Sequence, residues 1–163
     1  MYKTLSLLLF VGAIFLGCAN KSNKPLKMFQ SVKIDEATIL QSGENRLSCC
    51  KCGMNLPMFF KTNHVAHEKG KIKQYCSIHC LEKDLKDGAK LDDIKVVDTK
   101  TLKFIPAKSA YYVVGSSKKA TMSRVSKYAF ANKNDAKEFA KKFGGKILSF
   151  KEALEVAKKD FQR

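Results

Sequence analysis

Residues 70–86, GKIKQYCSIHCLEKDLK, decide how this chain is read. Gly70 to Cys76 predicts a strand. Ser77 then caps a helix to about Lys86, with Ile78, Leu81 and Leu85 at helical spacing on one face. Working outward, Leu56 to Thr62 predicts a strand before this corner and Asp93 to Asp98 one after it, which makes a ββαβ unit. The second half repeats the order: Ala110 to Gly115 and Val125 to Ala131 predict strands, and Asn132 caps a helix carrying Ala136, Phe139, Ala140 and Phe143. Gly144-Gly145 ends that helix and Lys146 to Phe150 predicts the closing strand. A last helix, about Lys151 to Gln162, sets Leu154, Ala157 and Phe161 on one side. The expected class is α+β: two small tandem ββαβ units with a C-terminal helix, after a signal peptide and flexible tether.

The N-terminus reads as a processing segment. Lys3 precedes an apolar run of 12 residues, Leu5 to Leu16, too short to span a bilayer but suited to export. It stops at Phe15-Leu16-Gly17-Cys18, which resembles a bacterial lipobox, in which the Cys is acylated. Phe15 stands where Leu or Val is usual, and the alternatives are a plain secreted protein with a free Cys18 or an uncleaved anchor. The expected division is 1–17 signal peptide, 18–46 acylated Cys18 and tether, 47–99 a metal-binding unit, and 100–163 the second unit with its helix. The chain carries 31 Lys and Arg against 15 Asp and Glu, a formal charge of +16. The lysines are scattered from Lys21 to Lys159 rather than interleaved with stacking aromatics, which favours an anionic membrane or acidic partner over nucleic acid. Acylation and a basic surface together supply the two signals that stable anchoring needs.

The chemistry concentrates in the first unit. Apart from Cys18, the cysteines are Cys49, Cys50, Cys52, Cys76 and Cys80, an odd set for a disulfide framework. Cys49 and Cys52 form a C-x2-C, Cys76 and Cys80 a C-x3-C, with 23 residues between the pairs, a spacing that lets four sulfurs converge on one ion. Cys80 falls in the first turn of a helix, where the dipole favours the thiolate a metal requires. Methionine points to the ion. Met54 stands two residues from Cys52 across Gly53, and Met58 follows; thioethers suit Cu(I) and are poor zinc ligands. The alternative for both is gap-filling in a core. His64 and His67 read as exposed loop or strand side chains, and His79, between two candidate ligands, is a further candidate whose ordinary alternative is the helix surface.

Several separated motifs then carry a resemblance. Cys49 to Met54, Asp98 to Ala107 (DTKTLKFIPA), Ala110 to Ser116 (AYYVVGS), Met122, Ala129-Phe130-Ala131 with Asp135-Ala136, and Gly144-Gly145 together resemble the NosL family, from about Cys49 to Leu154. These are lipoprotein copper chaperones that accompany nitrous-oxide reductase. The resemblance implies Cu(I) on Cys52 and Met54, with Met122 as a further ligand, and delivery outside the cytoplasm. By local pattern alone Met122 is an ordinary loop residue. Tyr75 to Cys80 departs from that family and is similar to small metal-trafficking modules of the YHS/TRASH type. The ligand set is therefore open among Cys49, Cys52, Met54, Cys76, Cys80, Met122 and His79, with one Cu(I) or with an additional structural Zn(II).

The sequence thus points to a membrane-anchored Cu(I) carrier facing the periplasm or cell exterior, with nitrous-oxide reductase or a related copper enzyme as recipient. No phosphate loop, paired carboxylates or Ser/His/Asp arrangement stands out, so no enzyme is expected. Two other classes stand beside this reading: a zinc-stabilised interaction module on Cys49, Cys52, Cys76 and Cys80, and a thiol-redox lipoprotein on Cys49 and Cys52.

Overall fold

A computed structural model describes residues 28–160. The expected signal peptide, Cys18 and the start of the tether lie outside the described residues, as does the C-terminal end of the last helix. In chain order the elements are β1 (His64–Glu68), β2 (Lys71–Tyr75), α1 (Ile78–Lys86), β3 (Asp92–Val97), β4 (Phe104–Pro106), β5 (Tyr111–Val114), β6 (Lys127–Phe130), α2 (Lys133–Phe143), β7 (Lys146–Leu148) and α3 (Phe150–Asp160). The ββαβ order therefore occurs twice, with a C-terminal helix, in a mixed α and β fold. One antiparallel sheet runs β2-β1-β3-β4 and a second β6-β5-β7.

The two units share a core. Leu56, Ala66, Tyr75, Leu81 and Val96 from the first pack in one cluster with Tyr112, Val114, Ala129, Ala153 and Ala157 from the second. α3 lies against both α1 and β5, and its buried Ala153 and Ala157 let the helices approach closely. Asp98 and Ala129 form a parallel bridge between the halves. On the other side of the second sheet, Val113, Tyr128 and Phe130 pack against Ala136 and Phe139 of α2. Asn132 caps α2 by accepting from the backbone of Asn134 at 2.8 Å. Gly145 turns the chain into β7 at φ +100°, where a Cβ would stand 2.9 Å from the carbonyl oxygen of Val114, so no side chain fits.

Three local expectations are corrected. The run Leu56 to Thr62 is a 3-10 segment, Pro57–Thr62, and the first strand comes later at His64–Glu68. Pro57 has no N–H for a ladder, and Asn55 Oδ1 accepts from the Met58 backbone at 3.0 Å, so the chain turns instead of extending. Ser77 occupies the N-cap of α1 but its side chain makes no capping bond. The tether ends sooner than its polar composition suggests. Phe29 packs edge-on against Tyr128 at 5.2 Å, and Gln30 is buried and donates to the Lys119 carbonyl at 2.8 Å; Val32 joins Phe60 and Val97.

His64 is the fourth correction. It is buried at 1 % exposure, not on the surface. Its Nδ1 lies 3.0 Å from the Thr62 carbonyl and its Nε2 3.1 Å from the Tyr112 hydroxyl, contacts that satisfy a neutral imidazole with Nδ1–H donating and Nε2 accepting. Burial holds its pKa down at about 4. The unfolded chain takes up this proton near pH 6.5 and the folded chain does not, so stability falls as pH drops from about 6.5 towards 4. We expect urea unfolding of the metal-free, reduced protein to show His64 contributing up to about 3 kcal/mol of that loss, absent from His64→Gln. Equal pH slopes for the two proteins across this window would show that His64 is not held neutral.

Candidate metal centre

A tight loop carries the first two cysteines. Ser48 and Asn55 bridge its base, the Cys49 N–H donates to the Met54 carbonyl at 2.8 Å, and the Gly53 N–H donates to the Cys49 carbonyl at 2.9 Å. Gly53 has φ +76°, the left-handed geometry that a non-glycine residue resists. The Cys50 N–H donates to the Gln74 carbonyl at 3.0 Å, which sets the loop against the end of β2. The second pair comes from that strand's corner: Cys76 follows β2 directly and Cys80 lies in the first turn of α1. The ligand atoms of Cys49, Cys52, Cys76 and Cys80 all lie within 4.8 Å of one another. Cys76 Sγ is 3.6 Å from Cys52 Sγ and 3.7 Å from Cys80 Sγ. A disulfide needs about 2.05 Å, whereas sulfurs around a tetrahedral ion at about 2.3 Å stand about 3.8 Å apart, so these are ligand spacings between free thiols.

Burial divides the four. Cys49, Cys76 and Cys80 are buried and Cys52 is exposed. Hydrogen bonds from Cys76 and then Cys80 draw the Cys49 thiol far below its ordinary acidity range, while Cys76 and Cys80 are pushed far up, first by their hydrogen bonds to Cys49. One thiolate is thus solvated by neighbouring S–H groups, and each further proton leaves only against that charge. A soft cation replaces the shared protons. Cys50 stands outside this group, in an open cleft with Gln41, Ser42 and Asn45, and burial on its protein side followed by the Cys49 charge pushes its thiol up to about 12.

A carboxylate clamps the loop to the helix. Asp84, one turn after Cys80, accepts from Lys51 Nζ at 2.9 Å, from the Tyr75 hydroxyl at 2.8 Å, and from Lys73. Lys51, between Cys50 and Cys52, also reaches Asp87 at 2.7 Å. Burial alone would raise the Asp84 carboxyl, but the bonds from Lys73, Lys51 and Tyr75 outweigh it and hold the group at about 2. None of these four partners was expected from the sequence. The available signal was the i, i+4 step from Cys80 to Asp84 with a lysine inside the C-x2-C.

The other candidates are placed as follows. Met54 is half-buried against the core beside the loop, and Met58 is 48 % exposed on the 3-10 segment. Met122 is 38 % exposed with φ +60° in the turn before β6. Its neighbour Thr121 accepts through Oγ1 from the Thr62 hydroxyl at 2.9 Å, and the Thr62 Oγ1 also lies 2.8 Å from the Cys76 carbonyl, so the turn is tied to the backbone of the second cysteine pair. His79 is buried, not at the helix surface, with Nε2 3.2 Å from Lys127 Nζ and 3.9 Å from Asp160 Oδ2. It lies outside the four-thiol group. His67 is a half-exposed strand residue 3.4 Å from Asp93.

Comparison with known proteins follows this geometry. The NosL family profile matches residues 41–156. The copper-binding lipoprotein NosL of Stutzerimonas stutzeri is 35 % identical over 125 residues, which is 64 % of this chain and 60 % of that protein, so the match spans about three fifths of the relative. The crystal structure of the copper chaperone NosL from Shewanella denitrificans is similar with a TM-score of 0.54 at 25 % identity, covering 76 % of this chain and 95 % of that one.

The clamp has a measurable consequence. Asp84→Ala leaves Lys51, Lys73 and the Tyr75 hydroxyl without their shared acceptor, and we expect about 2–3 kcal/mol less stability in urea for the metal-free, reduced protein. The Cys52 thiol should alkylate faster at the same time, and Asp84→Asn should recover part of both effects. Unchanged alkylation would mean that the loop holds its place without Asp84.

Proposed function

This chain belongs to the NosL family, and on that premise we propose that it carries Cu(I) outside the cytoplasm, held to the membrane by acylated Cys18, and hands it to a copper enzyme, nitrous-oxide reductase foremost. The observation that carries this reading is the convergence of three buried thiols and one exposed thiol within 4.8 Å. Soft sulfur donors favour Cu(I), and Met54 beside the loop and Met122 on the tied turn supply thioethers on the same side of the chemistry. The relatives are named for copper binding and chaperoning, not for a catalysed reaction, which agrees with a chain that binds and releases without turnover.

Transfer by such a site is ligand exchange. Cys52 is the sulfur that an incoming thiol, thioether or imidazole meets first, since its three partners are buried. The incoming ligand binds the ion, Cys52 leaves and takes up a proton, and the remaining sulfurs are replaced in turn. No redox change and no activated water are needed.

A second reading has its own support. The separations of 3.6 and 3.7 Å match the edge of a tetrahedral four-thiolate zinc site, about 3.8 Å. In that case zinc is a resident structural ion and copper is held on the methionine side by Met54 and Met122.

The full chain, purified anaerobically and loaded separately with Cu(I) and Zn(II), separates the two by mass spectrometry. We expect copper to survive a Cu(I)-selective chelator in the wild type, to be lost in Cys76→Ser, and to be bound at least about tenfold more weakly in Met54→Leu. Zinc retained in both the wild type and Met54→Leu, with copper retained in neither, would refute the carrier.

A further inference from the structure

Away from the thiols, three lysines converge over two aromatic rings. Lys61 Nζ stands 4.4 Å from the centre of the Phe29 ring and Lys118 Nζ 5.0 Å from the same centre; Lys118 is also 4.1 Å, and Lys142 5.3 Å, from the centre of Phe143. The rings themselves are 6.3 Å apart. Among the described residues none of these ammonium groups forms an ion pair, and the acid that acts on the face is Glu36, whose charge reaches Lys61. Burial lowers the pKa of Lys61; the Glu36 charge opposes that effect and the smaller influence of Lys118 adds to it. Three like charges are therefore gathered on a face where Glu36 offsets Lys61 only from a distance and none of the three is ion-paired among the described residues, an arrangement that an external anionic surface relieves.

The occupant follows from where the chain enters. Phe29 belongs to this face and lies eleven positions after Cys18, a length that spans at most about 40 Å when fully extended. A lipid on Cys18 therefore keeps this face within that distance of the bilayer. Beside it the turn from Lys33 to Glu36, closed by a 3.0 Å backbone bond, presents Ile34 at 63 % exposure, the most exposed large apolar side chain described. Aromatic rings, lysines with long apolar stems and an exposed isoleucine at the root of a lipid tether are the components of an interfacial contact.

We infer that the face formed by Phe29, Phe143, Lys61, Lys118 and Lys142 docks on the anionic headgroups of the membrane that anchors the chain. The inference rests on the anchored reading above. It gives the domain a fixed orientation in place of free rotation on its tether. Each lysine at an anionic leaflet contributes roughly a fivefold preference over a neutral one.

The test uses the full chain as recovered from bacterial cells that export and process it, on vesicles of phosphatidylcholine alone and of phosphatidylcholine with phosphatidylglycerol, with flotation and lysine acetylation read residue by residue. We expect Lys61, Lys118 and Lys142 to be acetylated about fivefold more slowly on the anionic vesicles, with high salt abolishing the difference. Lys83 and Lys100, whose side chains are 57 % and 60 % exposed, should react equally on both. Equal acetylation of all five on vesicles that the protein still floats with overturns the docking face and leaves the anchor standing. Flotation with neither vesicle overturns both, whereas protection on anionic vesicles without flotation on neutral ones supports the face and removes the anchor. Protection that appears only on adding an acidic protein overturns the lipid assignment.

Discussion

Four thiols within 4.8 Å of one another form a centre that cannot lose its protons freely, and the structure around it is arranged to hold that unfavourable grouping in place. Ionising one sulfur makes each further ionisation harder, so the metal-free centre keeps its charge low by sharing S–H protons around Cys49. Geometry has to come from elsewhere. On one side it comes from a loop closed by the Ser48–Asn55 bridge and the positive φ of Gly53, and on the other from a strand-to-helix corner whose register is set by β1 against β2. Asp84 joins the sides. Its low pKa reports that two lysines and a tyrosine favour its charged form more than burial opposes it.

The second unit is part of the same construction. α3 lies on α1 through two alanines, and the shared core leaves the cysteine-bearing helix little room to shift relative to β5 and β6. At the seam, Lys127 of β6 has a side chain only 2 % exposed and holds Asp160 at 2.7 Å, His79 at 3.2 Å and the Val125 carbonyl at 2.9 Å. Burial lowers its pKa, and the Asp160 carboxylate opposes that effect. One buried ammonium thus ties α1, α3 and the turn carrying Met122. A thioether on an exposed turn is ordinarily a poor metal ligand because ordering it costs entropy, and this turn is ordered in advance by Lys127 and by the Thr121–Thr62 bond.

Much of this was legible in the sequence where a single local rule governs. The duplicated ββαβ order and the cap at Asn132 followed from periodicity and capping chemistry, and the pairing of a C-x2-C with a C-x3-C pointed to thiols that the structure brings together. Legibility failed where a distant partner decides. Leu56 to Thr62 is apolar enough for a strand, but a proline without an N–H and an asparagine side chain turn it into a 3-10 segment. His64 follows the polar run Lys61-Thr62-Asn63 in sequence and is stacked on Tyr112 in space. Phe29, Gln30 and Val32 looked like tether because the contacts that hold them are not local: Val32 meets Phe60 and Val97, Phe29 meets Tyr128, and Gln30 reaches Lys119. Asp84 was unremarkable until Lys51, Lys73 and Tyr75 surrounded it.

A site that must both hold and release an ion benefits from halves of unequal stiffness, and this one has them. Cys76 and Cys80 belong to a strand end and a helix whose neighbours are core residues, so moving either disturbs Tyr75, Ile78 and Leu81 together. The loop with Cys49 and Cys52 is divided: Cys49 is buried in the same core cluster, while Cys52 is exposed, and the stretch between them is held by the backbone bond from Cys50 to Gln74 and by Lys51 on Asp84 and Asp87. Displacing the exposed Cys52 side chain leaves that core packed, whereas moving the whole loop would draw Cys49 out of it. In the proposed carrier this makes Cys52 the leaving ligand and leaves the ion on the three buried sulfurs, Cys49, Cys76 and Cys80, until a recipient has bound it.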